Sequence, residues 1–157
     1  MTLQQKSSQP MNLFTLQIIA AALTGSVALL IVVAYFIPFA GEKSAYDPAL
    51  HGAILGVGVM TLVSSFLLEK IFVKHRVESV SKENRTLSAL LQGFLPSITV
   101  SFALRESAAI MGFVVSMLTG DPIFVVIMGG VTMAVNILSF PTKSRVNAYL
   151  PPAEQIQ

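Results

Sequence analysis

The hydrophobic positions of this chain form long uninterrupted runs separated by short polar segments. Four such runs cover residues 13–37, 52–72, 87–118 and 123–140. Each reaches or approaches the roughly 20 residues that a helix needs to cross the hydrocarbon core of a bilayer. Runs of this kind lack the alternation of a barrel strand, whereas a helix satisfies its own backbone hydrogen bonds in lipid. The pattern predicts an all-α, polytopic membrane protein, with residues 1–157 forming one domain of four transmembrane helices.

The third run is longer than a simple span requires, since residues 87–118 would extend roughly 50 Å as one helix. Pro96 lies within it, and a proline removes a backbone hydrogen bond and disfavours helical geometry in the residue before it. We therefore predict that the chain bends or breaks between Gly93 and Ser97. Residues 87–95 would form an interfacial or inclined segment, and residues 97–118 would cross the membrane.

A tight turn is predicted between the third and fourth runs, at Thr119-Gly120-Asp121-Pro122. Glycine adopts a positive φ without steric cost, and proline is favoured in the first turn of the helix that follows. The third and fourth helices should therefore form an antiparallel hairpin.

Lysine and arginine are distributed unequally between the two predicted sides of the membrane. Lys43 stands alone on one side, and the other side carries eight basic residues, namely Lys6, Lys70, Lys74, Arg76, Lys82, Arg85, Lys143 and Arg145. Because basic residues are enriched in cytoplasmic segments, we expect both termini and the second connection to be cytoplasmic. A multi-pass location in a bacterial inner membrane follows as the expected setting.

Composition narrows the possible chemistry. The chain is 54% hydrophobic and 11% charged, with a net charge of +2 and no cysteine. So small a charge does not favour nucleic acid, and the lack of cysteine excludes disulfides, thiolate metal sites and thiol nucleophiles. The two histidines, His51 and His75, fall at opposite predicted membrane edges and cannot share a metal. We expect no metal, no cofactor and no enzymatic activity.

Arg105 and Glu106 interrupt the apolar pattern near the middle of the third span. A charged residue at that depth costs at least about 2.5–3.5 kcal/mol on insertion scales, so a functional role is the first interpretation. The alternative is structural, since a buried charge can also be paired only to fix helix packing. The sequence leaves both open.

The two charged residues point in different directions, because adjacent helix positions differ by about 100°. Glu106 shares its face with Phe102 and Phe113, which could line a cavity or contact another subunit. Arg105 lies on a stripe of small residues that should permit close helix packing, namely Ser101, Ala108, Gly112 and Ser116. Gly52 and Gly56 form a second candidate packing motif.

Four polar residues on other helices are predicted near the depth of Arg105 and Glu106. Ser64 and Ser65 belong to the second helix, and Thr132 and Asn136 belong to the fourth. Their side chains could form hydrogen bonds with the charged pair. Serine and threonine in helices also commonly bond to their own backbone, which remains the alternative.

Residues 106–118, Glu-Ser-Ala-Ala-Ile-Met-Gly-Phe-Val-Val-Ser-Met-Leu, resemble the ion-binding helix of the rotary-ATPase proteolipids that form c-rings. The resemblance implies that Glu106 is an ion- or proton-binding carboxylate. The chain departs from that pattern at Arg105, directly before the glutamate, and in its fourth helix. It is also similar to small uncharacterised bacterial membrane proteins with four helices, a likeness that implies no function.

Three functional hypotheses follow from the sequence. The first is a non-catalytic subunit or scaffold of a membrane complex, with the lipid bilayer and other membrane subunits or further copies of the chain as partners. The second is a proton- or cation-handling protein that uses Glu106. The third is a protein that binds a lipid or a small hydrophobic molecule at the face of Phe102 and Phe113.

The predicted topology can be tested with single-cysteine variants at Ser7, Ser81 and Ser144. Because the chain has no native cysteine, a membrane-impermeant thiol reagent would report each position separately. We expect labelling only from the cytoplasmic side of sealed vesicles. Labelling of a cysteine at position 81 from the opposite side would contradict the orientation.

Overall fold

The computed structural model describes residues 13–36, 47–79 and 87–148, and within these ranges it contains helices and no strand. The helices are α1 (Leu13–Phe36), α2 (Pro48–Ser79), α3 (Leu87–Thr119), α4 (Ile123–Leu138) and the short α5 (Lys143–Asn147). The predicted all-helical class is confirmed. The predicted polar tails and most of the two longer connections lie outside the described residues.

Three of the helices are long and apolar enough to cross a membrane, over Leu13–Phe36, Pro48–Val73 and Phe94–Thr119. These segments fit a multi-pass membrane protein. α4 is apolar but has 16 residues, and at 1.5 Å per residue it rises about 24 Å, less than the roughly 30 Å of a hydrocarbon core. A fourth full span and the orientation remain predictions.

Of the predicted bend or break between Gly93 and Ser97, the structure excludes the break, because α3 continues through Pro96 from Leu87 to Thr119. A proline inside a helix removes one backbone donor, but the remaining hydrogen bonds and tertiary packing can hold the helix together. Phe94 and Ser97, on either side of the proline, are both buried. Residues 87–95 thus belong to the same helix as residues 97–118, and an inclination between the two parts remains a prediction.

α3 lies at the centre of the bundle, where it contacts α1, α2 and α4, and α1 also contacts α4. One end of the bundle contains an apolar cluster drawn from the start of α1, the end of α2, the start of α3 and α5. Its buried members are Leu16, Val73, Leu91, Phe94 and Val146. The four long helices therefore alternate in direction. We call this end of the bundle the α5 end.

The turn between α3 and α4 follows the predicted geometry. Gly120 has a φ of 68°, a conformation that glycine adopts without strain. The Asp121 carboxylate accepts a hydrogen bond from the Ile123 N–H at 3.0 Å, and the Ser116 hydroxyl accepts one from the Val125 N–H at 2.9 Å. Two otherwise unpaired amides at the start of α4 are thereby satisfied.

The small-residue stripe of α3 is buried, and Gly112 lies where α4 approaches most closely. A Cβ at Gly112 would come within 2.6 Å of the Met128 Cβ and 2.8 Å of the Phe124 carbonyl oxygen. Gly52 and Gly56 differ, since both are exposed and a Cβ on either would meet nothing within 4 Å. Among the described residues, this predicted motif makes no close helix contact.

Gly112→Ala should destabilise the protein by about 1–3 kcal/mol, because an added methyl group must displace the backbone of α4. Gly130→Ala is the matched control on an exposed face, where nothing lies within 4 Å and alanine is the better helix former. Thermal unfolding in detergent should show a lower midpoint for Gly112→Ala and an unchanged or higher one for Gly130→Ala. Equal midpoints would contradict the close α3–α4 contact.

Candidate functional site: a buried ion network and a separate carboxyl

Arg105 is fully buried, and its guanidinium is held by two side chains of α2. Its Nε donates a hydrogen bond to the Ser65 hydroxyl at 3.0 Å, and its Nη2 donates to Glu69 Oε2 at 2.5 Å. Side chains on a helix point back toward its N-terminus, and the N-terminus of α3 lies at the α5 end. The charged group of Arg105 is therefore closer to that end than its Cα.

Arg145 binds the other oxygen of the same carboxylate. Its Nη2 donates to Glu69 Oε1 at 2.7 Å, while its Nη1 donates to the Leu138 carbonyl at the end of α4 at 2.9 Å. The side chains of Arg105, Glu69 and Arg145 are 0%, 8% and 31% exposed. These three residues, which we call the ion network, connect α2, α3 and α5. Together they carry a net formal charge of +1.

Two aromatic rings contact the Arg105 guanidinium. Its Cζ lies 5.0 Å from the centre of the Phe66 ring and 5.1 Å from that of Phe102. Contacts at such distances stabilise a cation through the negative face of the ring, most strongly where water is excluded. Phe102 is buried and Phe66 is 41% exposed, so Phe66 lies between the buried cation and the outside of the bundle.

The predicted polar neighbours of the charged pair take different positions. Ser65 contacts the Arg105 side chain, whereas Thr132 donates to the Arg105 backbone carbonyl at 3.3 Å. Ser64 is exposed. Asn136 is buried, and its amide has no hydrogen-bond partner among the described residues. The side chain of Arg105 thus reaches one of the four predicted partners.

Glu106 lies apart from the ion network and contacts α1. Its Oε1 is 2.6 Å from the Ser26 hydroxyl oxygen, and the residue is half-buried. The sequence indicated that the two adjacent charges face different ways, but it did not identify Ser26. The partner of Glu106 among the described residues is a neutral hydroxyl.

Ser26 and Ser65 can each donate to the carbonyl oxygen three residues earlier on their own helix, but they contact different charged side chains. Ser65 donates to the Leu62 carbonyl at 2.6 Å and accepts from Arg105. Ser26 lies 2.7 Å from the Leu23 carbonyl oxygen and 2.6 Å from Glu106 Oε1. A hydroxyl carries one proton, so Ser26 donates to one of these two acceptors at a time.

Sequence reasoning missed Glu69 and assigned Arg145 only to orientation. Glu69 stands beside Lys70 near the end of an apolar run, where a charged pair resembles an ordinary helix boundary. One available signal was the spacing of Ser65 and Glu69, which are four residues apart and therefore share a helix face. A polar face of this kind on a neighbouring helix is a candidate to pair with a buried arginine.

The comparisons with family models, with curated proteins and with solved structures find no match for this chain. The likeness of residues 106–118 to a proteolipid helix therefore carries no family assignment. Within the described ranges, no group of three or more histidine, aspartate or glutamate side chains could hold a metal ion.

Glu69→Gln should destabilise the protein strongly, by about 3–5 kcal/mol, because it removes the anion from between two arginines and leaves Arg105 buried without its charge partner. Glu106→Gln is the matched control, since it changes a glutamate of α3 whose described partner is neutral. Chemical unfolding in detergent should rank Glu69→Gln well below Glu106→Gln. Equal losses would show that the ion network does not hold the bundle together.

Proposed function

We propose that this chain is a non-catalytic integral membrane protein, a structural or accessory subunit that acts as a scaffold within a membrane complex. The observation that carries the proposal is the ion network. Its carboxylate is bound by arginines from two other segments, so the buried charges of Arg105 and Glu69 neutralise each other within the bundle. The Glu69 carboxylate, bound by Arg105 and Arg145, thereby holds α2, α3 and α5 in fixed relative positions.

The outer surface supports the same proposal. Large apolar side chains are exposed along α2, including Val57, Val59, Met60, Val63, Leu67 and Ile71. An apolar surface of this kind suits contact with lipid or with neighbouring membrane subunits. We place the protein in a bacterial inner membrane with both termini cytoplasmic, on the strength of the distribution of lysine and arginine.

A second candidate function is proton or cation handling through Glu106, and the geometry of Ser26 favours it. Glu106 is a half-buried carboxyl group whose Oε1 lies 2.6 Å from the Ser26 hydroxyl of α1, and such a group would suit the binding of a proton or cation. The same contact also suits a purely structural role, because it joins α1 to α3.

The lipid-binding hypothesis has less support. It relied on an open aromatic face at Phe102 and Phe113, but Phe102 is 1% exposed and lies against the Arg105 guanidinium. The Phe102 side chain is therefore not available to a lipid within the bundle.

A flux assay separates the two leading functions. Parent protein and Glu106→Gln, each reconstituted into liposomes containing a pH-sensitive dye, would be exposed to an imposed membrane potential. The scaffold proposal expects proton entry no faster than in protein-free liposomes for both proteins. Flux in the parent that is lost in a folded Glu106→Gln protein would contradict the scaffold proposal and support proton handling.

A further inference from the structure

Two buried polar side chains in the α3–α4 interface lack hydrogen-bond partners within the described part of the chain. They are Ser101, through its Oγ, and Asn136, through both Oδ1 and Nδ2, and each residue is 0% exposed. A buried donor or acceptor without a partner loses the hydrogen bonds it made in water, and this loss is costly enough that such groups are rare in native proteins. These three atoms therefore require an explanation.

The register of the two helices indicates that Ser101 and Asn136 lie in the same layer. The hydrogen bond from Thr132 to the Arg105 carbonyl fixes the register of α3 against α4. Because the helices are antiparallel, a step of four residues toward the α5 end leads to Ser101 on α3 and to Asn136 on α4. The two unsatisfied side chains thus occupy the same layer, one turn from the backbone of Arg105.

Three residues further toward the α5 end lie Ile98 of α3 and Ser139, the residue after α4, and both line a pocket there. The pocket has a volume of about 20 Å³ and is partly open to the outside; Glu69 and Arg145 also line it. A step of three helical residues is a rise of about 4.5 Å. Ser101 and Asn136 are therefore each three residues from a residue that lines this pocket.

We propose that Ser101 and Asn136 form an internal water-binding site that is supplied through the pocket at the α5 end. Water suits this site because it both donates and accepts, as do the asparagine amide and the serine hydroxyl. Buried waters typically make about three hydrogen bonds to groups that would otherwise be unsatisfied, and three such atoms are present here. The pocket at the α5 end is partly open to the outside and is the route of entry that we assign to the water.

The site has a consequence for the neighbouring ion network. Two arginines share one carboxylate there, so the three residues of the ion network carry a net formal charge of +1. Water one turn away lowers the cost of that charge, because its dipoles can reorient where apolar side chains cannot. The inference concerns hydration of the bundle and is independent of whether the protein is a scaffold or handles protons.

The test uses isotope-labelled full-length protein in lipid bilayers and solid-state NMR, with magnetisation transferred from water to protein. The side-chain amide of Asn136, assigned by its loss in Asn136→Leu, should receive magnetisation from water. The Val125 N–H, buried and bonded to Ser116, is the dry control and should receive none. Absence of transfer to Asn136, while the partly exposed Arg145 side chain receives it, would overturn the proposal.

A second pair of variants tests the pairing of the two side chains. Ser101→Ala should reduce the transfer from water to Asn136 at least twofold, because it removes one hydrogen-bond partner of the water. Ser116→Ala removes a buried serine of the same stripe that already has a protein partner, and it should leave the transfer unchanged. An equal effect of both variants, or a direct Ser101–Asn136 contact without water, would overturn the shared site.

Discussion

The structure depends on the need to neutralise one arginine inside an apolar bundle. Arg105 is fully buried on the central helix, and a charge in that position is tolerated only when it is paired and hydrogen-bonded. Glu69 supplies the pairing, Ser65 accepts a further hydrogen bond, and the rings of Phe66 and Phe102 cover the guanidinium. These contacts fix how α2 lies against α3.

The same constraint extends to the C-terminal part of the chain. Glu69 has two carboxylate oxygens, and Arg145 binds the one that Arg105 leaves. Arg145 also binds the Leu138 carbonyl, and Val146 enters the apolar cluster beside it. The segment after α4 is thus fastened to the bundle by both charge and apolar contact.

Glu106 makes different contacts from those of Arg105, its neighbour in sequence. It is turned toward α1, where its Oε1 contacts the hydroxyl of Ser26. Two adjacent charged residues therefore have separate roles, one inside a compensated network and one on a half-buried surface. Because the contacts of Glu106 and those of the ion network are separate, each can be altered without changing the other.

The sequence by itself determined the helical class, the approximate extent of the apolar segments and the α3–α4 turn, because these depend on local pattern. Apolar runs of this length favour helices, and Gly120 and Pro122 have conformational preferences that act without the rest of the fold. Helical spacing likewise predicted that Arg105 lies on a stripe of small residues, and this stripe is buried. Such inferences need only neighbours three or four positions away.

Tertiary structure alone decided the partners of the charged residues and the continuity of α3. Glu69 and Arg105 are 36 positions apart, and Ser26 and Glu106 are 80 apart, so no local rule relates them. Pro96 was expected to bend or break the helix on local grounds, but α3 is continuous through it, and Phe94 and Ser97 on either side are buried in the bundle. Pairing between helices depends on their rotation and register, and these are set by all the contacts of the bundle together.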